Sequence, residues 1–281
     1  MSISIFTPGH ITGFFNIEND SNPLKNGSCG AGFLLDKGVK TTIEDSSDFK
    51  ININQGDETV ISEVLKHFNI DYNFSITQDI QLPIGAGFGT SAASALSLTI
   101  ALNEFFDFGY DLVKCGQIAH CVEIALGGGL GDVIAQFGSG MVYRLKAGAP
   151  GIGEIEFFDE DVFVATKCFG TLNTASIIKD NNYKKIISDN GLIFKEKFIK
   201  NPNVEDFLEY SRDFSNRTNL MTDEVKSLVD YFNSSPDIMG SSMAMLGNTV
   251  FAFAQDEEAF TDLDIEGLHI DYVNNNGIIH D

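Results

Sequence analysis

Apolar and polar positions change period several times along the chain, and each change predicts an element. Residues 39–43 and 49–53 concentrate β-branched and aromatic side chains, the composition of strands. Residues 59–69 place Ile61, Leu65 and Phe68 at helical spacing behind a polar start, which predicts a helix. Residues 72–76 return to the alternation of a strand. Residues 91–106 predict a second helix, with Ala92, Ala95, Leu96, Thr99 and Leu102 on one side. Side chains this small permit close packing, so this helix is expected near the centre of the fold. A third helix is predicted from about 111 to 125. The glycine-rich run 127–131 stops it, because glycine tolerates left-handed backbone angles. Residues 141–145 read as a strand.

In the second half, strands are predicted near 162–166, 250–254 and 269–273, and helices near 204–214, 222–233 and 257–263. Strands and helices mix without a regular βαβ period, which predicts an α+β fold. A Gly/Pro-rich stretch at 146–153 marks a boundary, giving units 1–150 and 151–281. Residues 7–15 and 26–32 read as short Gly/Ser loops that either line a pocket or serve as turns. Residues 274–276 read as a loop.

Composition narrows the function. The chain has 281 residues, 43% of them hydrophobic, enough for one large domain or two ordinary ones. Its 18 basic and 40 acidic residues leave a formal charge of −22, which argues against nucleic acid and anionic membrane surfaces as partners. The longest uncharged run, 80–103, is interrupted by Pro83 and three glycines. Its helical part would span ~20 Å, short of the ~30 Å hydrocarbon core, so no membrane crossing is expected. The first residues carry no basic segment of a secretory leader. The four cysteines form no CxxC pair, so neither zinc nor a disulfide framework is expected and a reduced cytoplasm is.

Four stretches carry candidate chemistry. The first is residues 83–94, PIGAGFGTSAAS, a glycine-rich loop entering an apolar helix. Free backbone N–H groups and the positive end of the helix dipole favour a phosphate there, though a tight turn with an ordinary Thr90/Ser91 cap fits as well. It is not a P-loop, since no lysine stands near Ser91, and Gly85, Gly87 and Gly89 have the wrong spacing for a dinucleotide fingerprint. The second joins His120 and Glu123, on one helix face, to Asp132 beyond the glycine turn. Two acids beside a phosphate loop suit magnesium, and a carboxylate also accepts a proton from an attacking hydroxyl. A solvated Glu123 with Asp132 merely capping a turn is equally open; a zinc pair of His120 and Glu123 lacks a third ligand. The third is the Gly/Ser stretch 239–249, and the fourth is residues 7–15 with 26–32. Arg144 stands twelve residues after Asp132, and its planar guanidinium suits either a substrate carboxylate or a surface ion pair.

Taken in order, these stretches resemble the GHMP kinase superfamily, whose members phosphorylate small-molecule hydroxyls such as those of galactose, homoserine and mevalonate. Residues 83–93 are similar to its central PxxxGxGSSAA loop, with Phe88 and Thr90 where Leu and Ser are usual, and 239–249 to its C-terminal Gly-rich motif. Residues 8–15 (PGHITGFF), 27–32 (GSCGAG) and 129–136 (GLGDVIAQ) look most like archaeal-type pantoate kinases. The resemblance implies an N-terminal unit like ribosomal protein S5 domain 2 and a ferredoxin-like C-terminal unit. It implies that Pro83, Gly85, Gly87, Gly89, Thr90, Ser91 and Ala92 bind ATP. Ser91 and Glu123 would hold Mg²⁺ and, with Asp132, form the catalytic set. Asp132 would orient or deprotonate the substrate hydroxyl. His10, Ser28, His120 and Arg144 would contact substrate, Arg144 through its carboxylate. His10 stands where many members of the superfamily carry a lysine. The implied reaction is phosphorylation of (R)-pantoate to 4-phosphopantoate on the way to coenzyme A. The alternatives are another acceptor (homoserine, mevalonate or shikimate) or a nucleotide binder without catalysis. Related kinases are often homodimers, and that assembly is one option here.

Overall fold

A computed structural model describes residues 2–171 and 181–280 of the chain. The first two strands, β1 (Ser2–Glu18) and β2 (Gly27–Asp45), pair antiparallel along nearly their whole length, from Ser2↔Glu44 to Glu18↔Gly27. The stretches expected as loops, 7–15 and 26–32, therefore lie inside strands. Both faces of the strands are covered at these positions, so the apolar residues run on instead of alternating. The glycines that resemble loop signals instead permit close approach: a Cβ on Gly32 would sit 2.2 Å from the Ile11 carbonyl oxygen. The register shifts between Pro8 and Gly9 and again between Thr12 and Phe14, which re-aims the side chains between them.

Beyond β2 come β3 (Lys50–Ile53), α1 (Thr59–Leu65) and β4 (Phe74–Ile80). β3 and β4 are parallel, so α1 is the crossover between them. The two central helices follow, α2 (Thr90–Phe105) and α3 (Leu112–Leu126), then the single turn α4 (Asp132–Ala135) and β5 (Met141–Lys146). α2 is buried on almost every side, as its small residues predict. α3 has clear punctuation: the Asp111 side chain accepts from the Lys114 N–H, and Gly127 ends it at φ +70°. A strand without a sequence signal, β6 (Glu154–Phe158), pairs with β5. The resulting seven-stranded sheet runs β11-β1-β2-β4-β3, with β5 and β6 branching from β2; β11 is Ile279–His280. Residues 154–158 and 279–280 thus lie in the first sheet.

The second sheet is antiparallel, in the order β10-β7-β9-β8, from β7 (Phe163–Cys168), β8 (Gly240–Met243), β9 (Thr249–Ala254) and β10 (Leu268–Tyr272). Between β7 and β8 run α5 (Asn181–Phe198), α6 (Val204–Thr218) and α7 (Asp223–Phe232), and α8 (Glu258–Thr261) precedes β10. Strand–helix–strand–strand–helix–strand in this spatial order is the ferredoxin-like arrangement. α5 escapes the sequence reading because Ile186, Leu192 and Ile193 are exposed while Ile187, Phe194 and Phe198 are buried, which blurs the helical stripe.

Two cores result. One face of the first sheet packs Ile5, Ile43 and Ile76 against Ala92, Leu96 and Val122 of the helices. The other face meets the second unit through aromatic rings. Phe33 lies 4.8 Å from Phe253 and 5.2 Å from Phe251, and Phe14 packs on Phe198 at 5.6 Å. Among the described residues no helix is long and apolar enough to cross a membrane.

Candidate active site

The glycine-rich loop between β4 and α2 takes its shape from three left-handed residues, Gly85, Gly87 and Gly89, at φ +72°, +88° and +60°. Gly89 caps α2, and the first intrahelical bond runs from Ala93 N–H to the Gly89 carbonyl. The amides just ahead of Ala93 have no intrahelical acceptor, so the helix opens toward the cleft with donors and a positive dipole end. Three bonds hold the loop, one within it and two from outside. The Thr90 hydroxyl donates to the Pro83 carbonyl (3.2 Å), Gln136 Nε2 donates to the Gly89 carbonyl (3.1 Å), and the His10 N–H donates to the Phe88 carbonyl (2.9 Å). The loop after β8 closes the cleft from the second unit: Met245 N–H donates to the Thr12 carbonyl at 2.9 Å. Gly247 packs on the glycine-rich loop so tightly that a Cβ there would lie 2.0 Å from the Ala86 carbonyl oxygen.

At the mouth of α2 the Ser91 hydroxyl donates to Glu123 Oε1, and the Gly129 N–H donates to Glu123 Oε2 at 3.1 Å. Glu123 is only 2% exposed. Burial pushes its carboxyl up to about 7, against the Ser91 and Gly129 bonds and with the nearby Asp132 charge adding to the rise. Asp132, the first residue of α4, accepts a hydrogen bond from His10 Nδ1 at 2.7 Å. Behind it, Arg144 of β5 is 1% exposed. Its guanidinium donates to the Ser28 carbonyl (3.3 Å), to His10 Nε2 (3.4 Å) and to the Thr12 hydroxyl (3.4 Å).

Gly85, Gly87, Gly89, Thr90 and Ser91 line one cleft together with Ser28, Glu123, Asp132 and Arg144. Four residues expected at the site are placed elsewhere. Pro83 contributes a carbonyl to the loop and does not face this cleft, and Ala92 is buried in the helical core. His10, expected on substrate, is fully buried behind Asp132. His120, also expected on substrate, turns from the cleft and donates Nε2–H to the Pro23 carbonyl at 3.0 Å. Its partner there is a short 3-10 turn, Pro23–Lys25, between β1 and β2, which no periodicity announces.

The cleft also contains Thr12, Phe15, Leu130, Met245 and Leu246, which sequence reasoning did not single out. All five lie within motifs noticed in the sequence. Which residues of a motif face a ligand depends on the β1 bulges and on the docking of the second unit, and neither has a local signature.

Known proteins are similar to this chain in sequence and in fold. The family model described as GHMP kinases N terminal domain matches residues 58–140. The pantoate kinase of Methanocaldococcus jannaschii is 34% identical over 264 residues, spanning 90% of this chain and 93% of that protein. The pantoate kinase of Thermococcus kodakarensis is 35% identical over 276 residues, spanning 92% and 90%. The chain belongs to the GHMP kinase family. A solved phosphotransferase related to the CoA biosynthesis pathway superposes on this GHMP kinase with a TM-score of 0.86 at 30% identity, covering 100% of this chain and 99% of that one. The mevalonate kinase of Methanococcus jannaschii has the same fold at 17% identity, with a TM-score of 0.71 and 98% of each chain covered. In this GHMP kinase, the α2 amides suit an anionic tail, the Ser91–Glu123 pair a hard cation, and Asp132 a proton arriving from the open cleft.

Proposed function

We propose that this GHMP kinase transfers the γ-phosphoryl group of ATP to the primary hydroxyl of (R)-pantoate, giving ADP and 4-phosphopantoate. The observation that carries the acceptor is Arg144. A buried guanidinium near Asp132, in the same cleft as the glycine-rich loop, suits the carboxylate of a small hydroxy acid. The two relatives above, both pantoate kinases, support the same reading.

The donor set fits magnesium: a hydroxyl and a carboxylate are hard oxygen ligands, and a Glu123 carboxyl held near 7 by burial gains from a cation. Ser91 and Glu123 would hold Mg²⁺, which supplies charge neutralisation on the phosphate oxygens. The chain's own groups do the remainder. The α2 amides and the left-handed loop seat the triphosphate; Arg144 and Ser28 orient pantoate. Asp132 accepts the proton of its primary hydroxyl as that oxygen bonds to phosphorus and ADP leaves. Positioning and preorganised charge supply most of the rate in such transfers.

We read residues 1–150 as the nucleotide and catalytic unit and 151–281 as the closing unit, although β6 and β11 return to the first sheet. A reduced cytoplasm suits the free cysteines. A homodimer suits the exposed Leu192, Ile193 and Ile199, and light scattering tests it.

The deciding experiment incubates the protein with ATP and a panel of hydroxy acids, with and without magnesium. ADP formed with pantoate in the magnesium arm supports the proposal. Turnover of homoserine, mevalonate or shikimate in place of pantoate would redirect the acceptor. ATP binding in the calorimeter without ADP from any acceptor would leave a nucleotide binder.

A further inference from the structure

His10 is fully buried, yet both of its ring nitrogens are engaged by functional groups. Arg144 faces Nε2 at 3.4 Å, and a guanidinium only donates, so Nε2 is the unprotonated, accepting nitrogen. The proton therefore sits on Nδ1, which donates to Asp132 Oδ1 at 2.7 Å. Burial disfavours a second proton, the Arg144 charge works in the same direction, and Asp132 opposes both. The seat is built for the ring: a Cβ on Gly32, on the paired strand, would stand 2.5 Å from Nε2. The other carboxylate oxygen is equally constrained. A Cβ on Gly129 would meet Asp132 Oδ2 at 1.9 Å, so Oδ2 lies on the Gly129 side, within the cleft.

We propose that His10 is a neutral positioning residue coupling acceptor recognition to the base. Arg144 fixes its tautomer, and its Nδ1–H holds Asp132 Oδ1 so that Oδ2 alone meets the acceptor hydroxyl. The inference rests on the reading of Asp132 as the proton acceptor and of Arg144 as the carboxylate site. Of the five guanidinium N–H groups, the bonds to Ser28, His10 and Thr12 account for three. One rigid chain, Arg144–His10–Asp132, thus sets the distance between the bound carboxylate and the base. A lysine at this point would deliver a positive charge to the aspartate; His10 delivers geometry and one neutral hydrogen bond.

Three substitutions separate this role from packing. In His10→Asn the amide nitrogen takes the place of Nδ1 and keeps the bond to Asp132; in His10→Gln it takes the place of Nε2 and does not; His10→Phe fills the space with no polar atom. We expect His10→Phe and His10→Gln to lower kcat about 100-fold, the scale of a misplaced general base. ATP affinity by calorimetry should be unchanged, and His10→Asn should recover to within about tenfold of the native kcat. Nitrogen NMR of the unliganded protein should show His10 protonated on Nδ1 only. If Asn and Gln behave alike, whether both active or both impaired, or if Nε2 carries the proton, the inference is overturned. Should His10→Phe fail to fold, the Asn/Gln pair still decides. Asp132→Asn in parallel keeps the two readings apart: unaltered turnover there removes the base itself. Loss of turnover there with an unaffected His10→Gln removes only the coupling.

Discussion

At the scale of single residues, Glu123 and Arg144 are the groups whose burial has measurable consequences. A carboxyl raised from 4.5 to about 7 keeps its proton in the folded protein at pH values where the unfolded chain has lost it. The folded state then binds more protons, so stability falls as pH rises between those values, and the loss is complete above about 7. The shift corresponds to at most about 3 kcal/mol. Denaturant titrations in the presence of a chelator should therefore show Glu123→Gln gaining on the native protein as pH rises from about 5 to 8. A constant difference between the two would contradict the burial argument. For Arg144, truncation to Ala removes the carboxylate partner and the donor to His10. The pantoate KM should rise about 100-fold or more while the ATP KM stays near its native value. A pantoate KM unmoved in steady-state kinetics would take Arg144 out of acceptor binding.

At the scale of elements, the cleft is made by two loops in backbone contact. The helices behind them were readable from the sequence because their signals are local: the polar starts, the small-residue stripe of α2, and the Gly127 stop of α3. The contact between the loops is not local. A Cβ on Gly247 would strike the Ala86 carbonyl, a backbone atom that cannot rotate away, so the loop carrying Gly85 and Gly87 would have to shift. Gly247→Ala should raise the ATP KM about tenfold or more by displacing the loop that positions the nucleotide, with an unchanged far-ultraviolet circular dichroism spectrum. An unaltered ATP KM would mean that the second unit does not set the loop. The same distinction explains the misreading of β1 and β2. Alternation marks a strand only when one face is wet, and at residues 7–15 and 26–32 both faces are covered.

At the scale of the whole molecule, Phe33 ties the sheets together, with the rings of Phe207, Phe251 and Phe253 packed around it. Phe33→Ala should cost about 3–5 kcal/mol and lower the melting temperature by about 10 °C. Because the core is shared, calorimetry should show one transition. Two separate transitions would show that the units melt independently.

The sequence by itself determined the class of fold and the central helices, and it marked the glycine-rich loop and the acids Glu123 and Asp132 as candidates. The helices and the loop are legible because their signals are local, where spacing translates directly into geometry. Tertiary structure alone decided which side chains enter the cleft. It buried His10 between Arg144 and Asp132, 122 residues from one and 134 from the other, and it turned His120 toward Pro23. Those outcomes depend on strand register and on where a missing Cβ lets two segments touch, quantities that no run of neighbouring residues encodes.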